Sequence, residues 1–275
     1  MDYREWPAPA ALQRHIQCAW RLNDPAPAGG IRTIYPDGRC ELIVHLATPP
    51  RTWEESGWRE QAPTLFAAQH ASAVRLESTE AMHCVALRLQ PAASALVVPR
   101  GLAQLRDRAV DLAAIDPALS VALRRAARSF VEGNPAALWR VALERCRRYE
   151  IDPRIEDAVA ELLRSGGATR ISTLAREARL SMRGFQTLFR ARVGLVPKEF
   201  ARLLRLQSTL RAIDGGDELA VLAADAGYAD QAHATREVKR VTGLTPARLR
   251  DALSRDRDGD AAVRLAAAFV RGASR

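Results

Sequence analysis

Hydrophobic and polar positions divide the chain into two regimes. Up to about residue 90 the chain reads as β-rich, with runs in which apolar and polar positions alternate, the period of a strand with one buried face. Residues 31–35 and 39–46 are β-prone runs flanking Pro36-Asp37-Gly38, a turn tripeptide, and predict a hairpin. In the second run Cys40, Leu42, Val44 and Leu46 alternate with Arg39, Glu41 and His45, and Ile43 interrupts the polar side. Residues 82–89 predict a further strand with His83, Val85, Leu87 and Leu89 on one face, while 48–64, rich in Pro and Trp, reads as an excursion loop. From about residue 91 the spacing becomes helical. Leu119, Leu123, Ala126 and Phe130 form one stripe, which Gly133 ends. Asn134-Pro135 and Asp152-Pro153 each supply a cap and a first-turn proline. The expected fold is α+β. A β-rich, barrel-like N-terminal domain with helices covers 1–150 (β-rich 1–90, helical 91–150), and an all-α domain covers 151–250. A C-terminal tail, 251–275, has room for a short helix.

The C-terminal half repeats itself. Ile171, Leu174, Ala175 and Ala178 stand at i, i+3, i+4 and i+7, and Leu219, Leu222, Ala223 and Ala226 form the same stripe 48 residues later. Gly194 recurs as Gly243 and Pro197 as Pro246, at an offset of 49. Each copy reads as a short helix, a tight turn and a second helix capped by Ser181 or Asp230. Small residues, Ala175 and Ala223, let the two helices cross closely, the helix-turn-helix pattern. A generic helical hairpin shares both stripe and turn. The helix joining the copies, from about Pro197 to Ile213, is roughly 25 Å long at ~1.5 Å per residue. That length suits two reading helices placed about one DNA turn, ~34 Å, apart.

Charge turns this pattern toward nucleic acid. The net charge is +9 and the sequence pI about 10.2, which favours a polyanionic partner. Residues 170–205 carry nine basic side chains against Glu177 and Glu199, so the excess is local. With 48% hydrophobic and 27% charged residues the chain is neither disordered nor membranous. No apolar run nears the ~20 residues of a membrane span, and the start lacks the features of a signal peptide, so a cytoplasmic protein is expected. Cys18, Cys40, Cys84 and Cys146 are scattered without a CxxC pair, and are expected as buried free thiols.

These residues carry a resemblance. The run Leu180-Ser181-x-Arg183-x-Phe185-x-x-x-Phe189 with Gly194-Leu195-Val196-Pro197 resembles the AraC/XylS family of bacterial transcription regulators. So do Gly227-Tyr228-Ala229-Asp230-Gln231-Ala232-His233, Arg236, Lys239-Arg240 and Thr242-Gly243-Leu244-Thr245-Pro246. Tyr3-Arg4-Glu5, Trp20, Pro36-Asp37-Gly38, Glu41-Leu42-Ile43 and Leu87-Arg88-Leu89-x-Pro91 resemble, more loosely, the sensor domain of one branch of that family. The chain departs from the pattern at Ala234 and Val238, where the family has bulky apolar residues, and at Thr187, often arginine. A loosely packed second reading helix, or neighbours that fill the space, is the expectation.

The resemblance implies double-stranded DNA as partner, RNA polymerase as a further candidate partner, and an unidentified small-molecule effector, with no cofactor or metal. Arg183, Gln186, Thr187, Gln231, Thr235 and Arg236 are the expected base readers, since Arg and Gln form bidentate pairs with guanine and adenine edges. Arg190, Arg192, Arg202, Arg205, Lys239 and Arg240 are the expected phosphate contacts. Trp20, Tyr35, His45, Trp53, Trp58 and Phe66 are candidates for an effector pocket, against the simpler reading that they fill a core. The histidines show no HxH or HExxH spacing, and no phosphate loop or GxSxG occurs, so an enzyme is not expected. Two alternatives stay open. One is a regulator without effector whose N-terminal half serves oligomerisation. The other is a metal-dependent barrel enzyme, drawing on His45, His83 and Cys84, fused to a DNA-targeting domain.

Overall fold

The computed structural model describes residues 2–25, 31–78, 80–130, 133–215 and 231–256. Its first half is built on strands β1 Asp2–Pro7, β2 Ile16–Asp24, β3 Ile31–Ile34, β4 Glu41–His45, β5 Arg51–Glu54, β6 Gly57–Glu60, β7 Thr64–Ala67, β8 Val74–Glu77, β9 Met82–Leu89 and β10 Ala109–Asp111. A six-stranded antiparallel sheet runs β1-β2-β9-β4-β7-β10 and a four-stranded one runs β3-β8-β5-β6. The two do not close into the expected barrel. Central strand β9 is covered on both faces: Val85, Leu87 and Leu89 join the helical core, and Met82, Cys84 and Ala86 pack with Trp20 and Leu22.

Two further expectations need correction. Residues 31–35 and 39–46 do not form a hairpin, because β3 pairs with β8 whereas β4 pairs with β7 and β9. Between them Pro36 has no N–H to donate and Gly38 is left-handed at φ +78°, which turns the chain from one sheet into the other. The segment 48–64 is no simple loop. It holds the β5–β6 hairpin, whose Trp53 and Trp58 are ladder partners with ring centroids 5.3 Å apart.

Helices α1 Leu112–Ile115, α2 Pro117–Phe130 and α3 Ala136–Cys146 follow. Leu119, Leu123, Ala126 and Phe130 are buried, as their spacing predicts, and Asn134 Oδ1 accepts the Ala136 N–H at 2.9 Å. Helix α4 Pro153–Arg164 starts where Asp152 Oδ1 accepts the Arg154 N–H at 3.1 Å. Then come α5 Ile171–Glu177, α6 Met182–Val193, α7 Pro197–Gly215, α8 Gln231–Thr242 and α9 Pro246–Asp256, the last reaching into the expected tail. The stripe at Leu219, Leu222, Ala223 and Ala226, and the cap at Asp230, lie outside the described residues. Among the described residues no helix is long and apolar enough to cross a membrane. All four cysteines are free and buried, and burial pushes the Cys18, Cys40 and Cys84 thiols up to about 12.

One apolar cluster runs across position 150. Ala71, Ala92 and Ala93 of the first half pack with Ile155, Leu174, Phe185, Phe189 and Phe200 of the second. Helix α6 lies on the 3-10 helices Pro91–Leu96 and Leu102–Leu105. At this seam the lack of a side chain is required twice. A Cβ on Gly38 would stand 2.9 Å from the Phe200 ring, and one on Gly194, φ +95°, would stand 3.2 Å from Gln69 and 3.3 Å from Leu102. Gln207 Nε2 donates to the Pro36 carbonyl at 2.6 Å, Arg106 pairs with Glu199 at 2.6 Å, and Arg14 grips Glu156 with two hydrogen bonds.

Candidate DNA-reading surface and effector pocket

Ser181 caps α6, its Oγ accepting the Gly184 N–H at 3.1 Å. The turn before it places Arg179 at φ +54°, in the left-handed region. Phe185 and Phe189 lie 5.8 Å apart between ring centroids, and Phe189 lies 5.8 Å from Phe200 of α7. This aromatic anchor fixes the rotation of α6, so Met182, Arg183, Gln186, Thr187 and Arg190 all face solvent. Helix α8 repeats the arrangement with different chemistry. Gln231, Ala232 and Arg236 are exposed and Thr235 is half-buried. Ala234 and Val238 are 1% and 0% exposed. Beside them Glu237, 6% exposed, receives Arg202 Nε at 3.1 Å and Nη2 at 2.8 Å, and Arg240 Nη2 at 2.9 Å. Burial works against the Glu237 charge, but the two arginines outweigh it and hold its carboxyl below the usual range.

Between the two sheets lies a cavity of about 110 Å³. Its walls are apolar, drawn from Leu22, Ile34, Ile43, Leu65, Val74 and Leu76. Ile43, which interrupts the polar side of β4, is therefore a wall residue. Polar groups enter from Asp37, Arg39, Glu41, His45, Gln61 and His70. Glu41 Oε1 accepts from Trp20 Nε1 at 2.9 Å and from Arg88 Nε at 2.8 Å, and Arg88 also reaches Glu5 at 2.8 Å and the Tyr3 hydroxyl at 3.2 Å. Arg88 is fully buried. Desolvation opposes its charge, but Glu41, Tyr3 and Asp37 around it hold its proton more firmly than usual. His45 Nε2 sits 3.0 Å from Gln61 Oε1, and burial lowers the ring to about 4. His83 lies one residue from Cys84 on β9 and so on the opposite face, away from the cavity. Among the described residues no group of three or more His, Cys, Asp or Glu is placed to hold a metal ion.

The helix-turn-helix domain family matches residues 174–252, spanning α6 and α8, and a domain of unknown function, DUF6597, matches residues 4–111. The chain carries an AraC-type helix-turn-helix domain. It is a DNA-binding transcription regulator. No curated protein matches it. Among solved structures it is similar to the DNA-binding domain of AdpA, a global transcriptional factor, in complex with a target DNA. That match has 24% identity over 38% of this chain and 97% of that one, with a TM-score of 0.37. ToxT from Vibrio cholerae O395 is similar at 10% identity over 85% of this chain and 96% of that one, TM-score 0.46. Unsaturated fatty acid bound wild-type ToxT from Vibrio cholerae strain SCE256 is similar at 10% identity over 84% and 93%, TM-score 0.43.

Within the AraC-type domain the expected base readers of the first unit share one exposed helix face. The expected phosphate contacts divide. Arg190 and Lys239 are exposed, and Arg192 is half-buried near Tyr149 and Asp152. Arg202 and Arg240 hold Glu237, and Arg205 donates to the Gly167 carbonyl at 3.0 Å. Of the six pocket candidates, Trp20, Tyr35 and His45 line the cavity. Trp53 is 45% exposed beneath the Arg75 guanidinium, Trp58 packs against it across the β5–β6 ladder, and Phe66 is buried in the helix-covered core, so these three do not line the cavity. Glu237 is a functional candidate that sequence reasoning passes over. Its one signal there is an acidic residue on a helix expected to read DNA.

Proposed function

We propose that this cytoplasmic regulator reads DNA with α6 and α8 and is controlled by a compact effector held between the two sheets. Residues 1–150 act as the sensing half and 151–250 as the reading half. Arg183, Gln186, Thr187, Gln231, Thr235 and Arg236 meet base edges, while Arg190 and Lys239 lead the phosphate contacts. The observation that carries effector control is the double role of one wall. Pro36, Asp37 and Arg39 line the cavity, and the same corner meets α7 through Gly38 against Phe200 and Pro36 against Gln207. An occupant that shifts this corner shifts the helix joining the two reading units. At about 110 Å³ the cavity is smaller than the ~150 Å³ apolar cavity that admits benzene in an engineered protein, so the fitting ligand is compact.

The test is a thermal-shift screen of compact, mainly apolar molecules against the full chain, with Ala67→Phe, at a further residue lining the cavity, as the filled-cavity control. A ligand at 100 times its Kd adds about 2.7 kcal/mol, a shift of several degrees. Binding to the parent but not to Ala67→Phe, with at least a ~5-fold change in affinity for a duplex selected from random DNA, is expected. Equal binding to both proteins, or binding without any effect on DNA, overturns effector control.

A further inference from the structure

We propose that Glu237 is the positioning residue of the second reading helix. Gripped by Arg202 of α7, it sets the angle at which α8 meets DNA. The inference rests on the reading above in one respect, that the exposed face of α8 contacts bases.

The apolar face of α8 is thin. Ala234, Val238 and Val241 are small beside Phe185 and Phe189, which hold α6. Small side chains let a helix approach its neighbour closely but fix its rotation weakly, having few atoms to interlock. Arg202 supplies what they lack. Two parallel N–H···O bonds from a planar guanidinium to one carboxylate restrain direction as well as distance. The two partners lie 35 residues apart and on different helices, so the pair ties α8 to the helix that links both units. Arg240, one turn further along α8, donates to Glu237 Oε1, the oxygen that Arg202 Nε also engages.

Geometry gives the restraint its reach. Gln231 stands six residues before Glu237, roughly 9 Å along the axis at ~1.5 Å per residue. A tilt of about 10° at Glu237 moves the leading end of the helix by roughly 1.5 Å, enough to break a directional hydrogen bond to a base edge. Electrostatics gives a second consequence. An acidic side chain on a helix facing a polyanion repels it unless neutralised, and here two arginines neutralise it. The same pairing withholds those arginines from phosphates. Glu237 thus trades nonspecific attraction for a defined pose.

Removing only the charge separates this role from simple support. In Glu237→Gln the full chain should bind scrambled DNA more tightly, and its log–log salt slope should steepen by about 1 to 2 as Arg202 and Arg240 turn to phosphates. Discrimination at the half-site read by α8 should fall at least tenfold, while hydroxyl-radical protection of the α6 half-site persists. The charge exchange Arg202→Glu with Glu237→Arg should restore discrimination that each single change removes. Loss at both half-sites together, or discrimination unchanged in Glu237→Gln, overturns the proposal. So does failure of the exchanged pair to exceed the two single variants. Gln231→Ala and Arg236→Ala separate the premise. If they leave discrimination at that half-site intact, the base-reading assignment fails whatever Glu237 does. If they reduce it while Glu237→Gln does not, the positioning role fails alone.

Discussion

Strand β4 carries His45 to the cavity, where Gln61 is its hydrogen-bond partner and burial lowers the ring to about 4. In the unfolded chain the same ring takes up a proton near pH 6.5. Between these values the unfolded state binds more protons than the folded one, so stability falls as the pH drops from 6.5 toward 4. The loss attributable to His45 is roughly 2–3 kcal/mol, since each tenfold change in proton affinity is worth about 1.4 kcal/mol. His45→Gln removes the titration and keeps a polar partner for Gln61. Urea midpoints of the two proteins at pH 7 and pH 4.5 should therefore converge toward acid. A constant gap between them would show that His45 protonates freely in the folded state. Single residues are unevenly legible in the sequence. His45 can be placed at the pocket because the alternation of residues 39–46 sets it on the face opposite Leu42 and Val44. Trp53, an aromatic candidate for the same pocket, is exposed on a local hairpin whose place in the sheet is set by pairing with β8, more than twenty residues on. Glu237 and Arg202 are not legible as a pair, because no local pattern links side chains 35 positions apart.

Among the elements, helices are the most legible, since their signals are local. Ser181, Asp152 and Asn134 each accept the backbone N–H that their place in the sequence predicts. Ser181 matters most, because Gly184 in the first turn of α6 disfavours helix by about 1 kcal/mol relative to Ala. Ser181→Ala should cost about 1 kcal/mol and lower Tm by roughly 2–4 °C. Differential scanning calorimetry of the full chain checks this, and a shift below 1 °C would mean that docking alone holds α6. The strands are less legible. Residues 31–35 and 39–46 have the pattern of a hairpin, yet their partners come from β7, β8 and β9, which only the complete sheets reveal. Ala234 and Val238 suggest a loosely held helix. They are fully covered, and an ion pair supplies the hold that apolar bulk supplies in α6.

At the scale of the molecule, the composition shift near residue 150 suggests two separable bodies, but an apolar cluster crosses that point. Residues 151–275 produced alone would expose Phe200, Leu195 and the flank of α6. That fragment should melt well below the full chain and bind a hydrophobic dye such as bis-ANS, with dye signal rising at least severalfold. Equal melting and no dye uptake would show that the seam contributes little to either half. The notch at Gly38 has a bearing on whether the two halves can be exchanged. It is shaped for one ring, Phe200, carried by a helix 162 positions later in the chain. A different C-terminal half joined to this N-terminal half would have to bring a ring to the same spot, or leave the notch empty. At this seam the two halves are therefore fitted to each other, and a change on one side calls for a change on the other.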